Sequence, residues 1–110
     1  MAYDAALAER IRNLLAGEDG VREKAMFGGL AFLVDGHMAV AAAGSTGGMM
    51  LRIDPGRGEE FLGEHIAPME MRGRTMTGWL DVQPEAISTD AELEELVAIG
   101  VSYARSLPPK

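Results

Sequence analysis

Asp35-Gly36 stands between two apolar runs, Ala25–Val34 and Met38–Ala43, and no other feature narrows the fold of this chain as much. Both central residues of a type I′ turn need positive φ, which Asp and Gly tolerate, so an Asp-Gly pair flanked in this way reads as a two-residue hairpin. The two runs are then antiparallel strands. Gly28-Gly29 falls inside the first of them, where missing side chains weaken a strand by on the order of 1 kcal/mol each. A bulge that bends the strand over a neighbouring helix is expected at that pair.

The remaining elements follow from spacing and punctuation. Tyr3, Leu7, Ile11, Leu14 and Leu15 recur at helical intervals, which predicts an amphipathic helix over 4–16, capped by Asp4 and ended by Gly17 in the left-handed conformation. The segment Gly44–Gly48 is rich in glycine but lacks the lysine and the following helix of a phosphate cradle, and reads as a hairpin loop. Met49–Ile53 is a third strand. Asp54 and Pro55 open a short helix that reaches Leu62 in spite of Gly56 and Gly58. A fourth strand lies near Met69–Met71, and a fifth runs from Thr75 to Val82 after a turn at Arg72–Arg74, with Pro84 barring its extension. Thr89-Asp-Ala-Glu92 is a capping box that starts the last helix. Leu93, Leu96, Val97, Gly100, Val101 and Ala104 form its apolar stripe, and Pro108-Pro109 stops it. The expected order is helix, three strands, helix, two strands, helix: a single α+β domain over 1–110, with a five-stranded antiparallel sheet in one layer and helices in the other.

Composition removes several classes of function. The chain has no cysteine, which excludes disulfides, thiolate catalysis and sulfur-ligated metal sites. His37 and His65 stand 28 positions apart without a helical i, i+4 partner, and each reads as a turn or surface histidine, so no metal and no cofactor is expected. Seventeen acidic residues against ten basic ones leave a net charge of −7, which repels phosphate backbones and argues against direct nucleic-acid binding. Arg72 and Arg74, near Trp79, are the one local exception. His37, His65, Asp54, Arg52 and Asp81 are the scattered groups from which an active site would have to be built. Asp54 already serves as a cap, and spacing assembles no acid, base and nucleophile set, so no catalytic residue is assigned and no enzyme is expected. No apolar run is long enough to cross a bilayer and no leader follows Met1, so a cytoplasmic location without membrane contact is expected.

Alternation along 75–82 places Met76, Gly78, Leu80 and Val82 on one face and Thr75, Thr77, Trp79 and Asp81 on the other. Trp79 therefore points away from the more apolar side. A two-layer domain covers one sheet face with helices and leaves the other to water or to a partner. Aromatic and methionine side chains on the second face suggest a protein partner or a homodimer. The partner-binding residues expected are Met26, Phe27, Gly28, Gly29, Arg72, Arg74 and Trp79.

Met26-Phe-Gly-Gly29 leading to Phe32 and Gly36, then Gly73-Arg-Thr-Met-Thr-Gly-Trp79, then Tyr103-Ala-Arg-Ser-Leu-Pro-Pro-Lys110, together resemble the TfoX/Sxy family over nearly the whole chain, specifically its N-terminal domain. The resemblance implies an α-β3-α-β2-α two-layer fold like that of type III secretion chaperones. It also implies a regulatory, non-enzymatic role: the named members regulate natural competence together with the cyclic-AMP receptor protein, and carry a further C-terminal domain. A stand-alone interaction or regulatory module, able to self-associate, is the expected function. The alternatives are a nucleic-acid-associated regulator acting through a partner, or a small-molecule-binding protein or enzyme.

Overall fold

The computed structural model describes residues 4–26, 29–42, 48–71 and 73–108. Helix α1 spans Ala5–Leu14, with Asp4 as its cap: the Asp4 carboxylate accepts from the N–H groups of Ala6 (2.8 Å) and Leu7 (3.2 Å). Strands β1 (Val21–Met26), β2 (Gly29–Val34), β3 (His37–Ala42) and β4 (Met49–Arg52) follow, then a 3-10 helix at Pro55–Phe61. Strands β5 (Ile66–Met71) and β6 (Arg74–Val82), a second 3-10 helix at Pro84–Ile87 and helix α2 (Asp90–Ser106) complete the described chain. The strands form one antiparallel sheet in the order β1-β2-β3-β4-β6-β5.

The Asp35-Gly36 hairpin forms as expected, with φ of 53° and 89° at its two central residues. The capping box is also present, Thr89 and Glu92 satisfying each other's amides. Five expectations are corrected. The sheet has six strands, not five, because Val21-Arg-Glu-Lys-Ala-Met is a strand whose residues 22–25 are exposed at the sheet edge. Charged residues on an edge strand give no apolar alternation to read. The run Ala25–Val34 is accordingly not one strand: β1 ends at Met26, which pairs with Gly29 at the start of β2. Gly29 therefore begins a strand and makes no bulge, and Phe27 and Gly28 lie outside the described residues. The bulge falls instead where the register shifts between Phe32 and Leu33, leaving Ala39 as the extra residue of β3. Gly17 does not end α1 in the left-handed conformation; the positive φ nearest that end is Gly20, at 76°. The segment opened by Asp54 is 3-10 rather than α-helical, Asp54 accepting from the Gly56 N–H at 2.9 Å.

Register sorts the sheet into two faces. One row runs Leu30, Ala42, Met49, Val82 and Ile66; the next runs Phe32, Val40, Leu51, Leu80 and Pro68. Both α-helices pack on this face, and Leu7, Ile11, Leu93, Leu96, Val97 and Ala104 share its core. Helix α2 comes closest at Gly100: a Cβ there would meet the Ala39 carbonyl oxygen at 2.6 Å. His37 is buried, at 9% exposure, and is not the surface histidine expected. It starts β3, and its Nε2–H donates to the Pro108 carbonyl at 2.6 Å, which fixes the chain just beyond α2.

Candidate functional site

The second face carries its own apolar cluster. Ala31, Met38, Ala41 and Met50 are buried there, with Leu33, Met69 and Trp79 half-buried around them, and no helical residue belongs to the cluster. Its central row crosses the whole sheet, Lys24, Ala31, Ala41, Met50, Asp81 and Ala67 lying opposite one another in turn. The row carries alanines on β2 and β3, a cation at its β1 end and an anion, Asp81, one strand in from its β5 end. Trp79 points to this face, as the alternation along β6 predicts, and is half-buried rather than sealed beneath backbone.

Arg52 holds Trp79 in place. It lies directly opposite Trp79 in the β4–β6 register, and its guanidinium sits 5.3 Å from the Trp79 ring centroid and 5.6 Å from that of Tyr103 on α2. Arg10, Arg12, Arg57 and Arg105 each pair with a carboxylate. Arg52 has no such partner among the described residues, so its charge is met by the two aromatic faces. Arg52 was weighed in the sequence only as a possible catalytic group, and nothing in its own segment signals this stacking. The signal lies in register, which pairs it with a tryptophan 27 positions away.

The other expected partner-binding residues are dispersed. Met26 and Gly29 sit at the end of the β1–β2 hairpin, and β3 and β4 separate β2 from β6, about 14 Å at ordinary strand spacing. Arg74 starts β6 and is exposed; Arg72 lies outside the described residues. The groups considered for catalysis do not converge either. Asp54 caps the 3-10 helix, Asp81 is exposed beside Met50, and His65 makes only long contacts to Gln83 (3.5 Å) and Glu64 (3.8 Å). Among the described residues no three His, Asp or Glu side chains gather as a metal site, and no helix is long and apolar enough to cross a membrane.

The described chain is thus an α+β domain with both α-helices on one sheet face and a second cluster of alanine, methionine and tryptophan side chains on the other. The TfoX N-terminal domain model matches residues 13–104, nearly the whole chain, and the chain belongs to that family. No curated protein matches it.

Proposed function

We propose that this chain is a non-enzymatic regulatory module that works by docking proteins, or a second copy of itself, on the sheet face around Trp79. The observation that carries the reading is the second apolar cluster, to which neither helix contributes. Membership of the TfoX N-terminal domain family supports a regulatory role, and through the named family members a link to competence regulation. Met69 and Trp79, half-buried at the rim of this cluster, are the side chains a partner would meet, and a methionine beside an aromatic anchor repacks readily against different partners.

Sedimentation equilibrium across a wide concentration range tests self-association, with Trp79→Glu as the perturbation and far-ultraviolet circular dichroism as the check on folding. Association that disappears in the folded variant supports the reading. Association that persists unchanged removes this face from consideration. Retention on a phosphate column that weakens steeply with salt would point instead to direct contact with nucleic acid.

A further inference from the structure

Charge is unevenly spread over this acidic chain, and register shows where cations collect. Directly opposed residues of an antiparallel pair project from the same face. On the second face the central row holds Lys24 and Asp81. The adjoining row holds Arg22 opposite Leu33, Leu33 opposite Met38, and Arg52 opposite Trp79. Glu23, between Arg22 and Lys24, turns to the helical side and accepts from Arg12 of α1 at 2.6 Å. These two rows therefore carry three cations and one anion, on a chain whose net charge is −7. Arg22 and Lys24 are exposed. Among the described residues the arginine ion pairs belong to Arg10, Arg12, Arg57 and Arg105, and Asp81, diagonal to Arg52, takes part in none. Arg52 is the best prepared of the three cations. Its Cζ lies over the Trp79 and Tyr103 rings, 5.3 and 5.6 Å from their centroids. These contacts hold the side chain without giving its N–H groups an oxygen acceptor, and those groups form a planar fork that matches a carboxylate.

We propose that the second face binds an acidic segment of a partner protein, with one carboxylate on the Arg52 fork and another on Arg22 and Lys24. The proposal rests on the reading of this face as a docking surface and adds the chemistry of what docks. Spacing narrows that chemistry. β2 and β3 separate β1 from β4, so Arg22 and Arg52 stand about 14 Å apart at ordinary strand spacing. Four residues of extended chain cover that distance, with positions i, i+2 and i+4 facing the sheet. Acidic residues at i and i+4 then meet the cations, while an apolar residue at i+2 rests on Leu33 and Met38 between them. A stacked arginine has less side-chain freedom to lose on binding than a free one, which favours this contact over a loose surface pair. Two other occupants fit less well. A second copy of the face offers one anion on these rows, Asp81, for three cations. A nucleic acid brings a long phosphate backbone up to a chain of net charge −7 and leaves the apolar side chains between the cations unmatched.

The probe is a random dodecapeptide library displayed on phage and selected against the intact chain at low salt, then counter-screened against Trp79→Glu. Peptides that bind the parent and not the variant are held by this face, and they should be enriched in Asp and Glu four positions apart with an apolar residue between. The best sequence is synthesised with each acidic residue in turn replaced by its amide, which removes a charge while leaving the protein intact. Loss of the carboxylate that meets Arg52 should weaken binding at least about tenfold in the parent and have little effect in Arg52→Gln. Arg52→Lys, which keeps the charge and loses the fork, should recover only part of the affinity. Arg22→Gln and Lys24→Gln should also weaken binding, whereas Arg57→Gln, on the first 3-10 helix, should not. Emission from Trp79, the only tryptophan, and the Arg52 Nε–H resonance report occupancy. If Trp79-dependent peptides emerge without acidic enrichment, or the amide costs the same in Arg52→Gln, the acidic partner is refuted and the docking face stands. If no selected peptide depends on Trp79, both are refuted. Displacement of the peptide by an oligothymidylate of matching length, or an Arg52 signal that shifts with protein concentration alone, overturns the proposal in favour of nucleic acid or a second copy.

Discussion

Gly100→Ala tests how closely the helical layer sits on the sheet. At an exposed helical position, alanine is more stable than glycine by about 1 kcal/mol. At Gly100 the sign should reverse. The added Cβ would lie 2.6 Å from the Ala39 carbonyl oxygen and 3.0 Å from Leu51 Cδ1. The first neighbour is backbone, held by the β2–β3 ladder at the bulge, and cannot rotate aside as a side-chain end would. Overpacking of this kind costs about 1–3 kcal/mol, which leaves a net loss of about 1 kcal/mol after the helical gain. At about 2.1 cal/mol/K per residue, a chain of this length loses roughly 4 °C in Tm for that change. Urea unfolding followed by Trp79 fluorescence, with Ala98→Gly on the exposed side of the same helix as reference, measures both signs in one scaffold. Ala98→Gly should destabilise, and so should Gly100→Ala. A Gly100→Ala protein as stable as the parent, or more so, refutes the close crossing of α2 over Ala39.

Gly17→Ala should be neutral or stabilising by a few tenths of a kcal/mol in the same assay, since Gly17 has ordinary backbone and nothing within 4 Å of a Cβ; a clear loss would restore the left-handed helix end. The Glu92 carboxyl, which accepts from the Thr89 hydroxyl and N–H and from Ser88, is held below its ordinary 4.5. A depressed carboxyl contributes stability above its unfolded pKa and loses it as pH falls through the folded one, so the deficit of Glu92→Gln at pH 7 should close as the pH drops below 4.5. Thr89→Ala should cost about 1 kcal/mol in thermal unfolding at neutral pH. Arg52→Ala and Trp79→Ala should be non-additive in a double-mutant cycle by about 0.5–1 kcal/mol; strict additivity would mean that the stacked geometry contributes nothing.

What the sequence disclosed and what it concealed follow from the range of each signal. Asp35-Gly36 and Thr89–Glu92 were readable because a turn and a cap are decided by residues within four positions of each other. The facing of Trp79 was readable because alternation along one strand is local too. β1 was missed because an edge strand has no core face to announce it, and its charges, which read as loop, are what protect the edge. Gly28-Gly29 invited a bulge because two glycines inside one apolar run need a reason; the run is in fact two strands, and the bulge sits at Ala39, where no glycine marks it. His37 looked like a turn residue beside Gly36, and its bond to the Pro108 carbonyl, 71 positions away, is a contact that no local pattern announces. The Arg52–Trp79 stack depends on which strands become neighbours, and β4 lies beside β6 rather than β5, a choice no local pattern records.

That strand order also bears on what the methionine face can hold. A two-fold axis parallel to the strands, midway between β3 and β4, would set β1 of one copy over β5 of another and β3 over β4. Ala41 would then face Met50, and Lys24 would come within reach of the other copy's Asp81, so the central row is compatible with its own image. Area decides how strong such a pairing can be. Six strands at about 4.8 Å spacing and four residues of useful length at about 3.4 Å each give on the order of 400 Å² per copy, or about 800 Å² in all. That is below the size of stable dimers and within the range of transient contacts. Tight self-association would have to draw on surface beyond this face. A weak, exchangeable contact is what a regulatory surface needs if a partner is to displace one copy from another, and it predicts dissociation on dilution into the low micromolar range rather than a dimer that survives it.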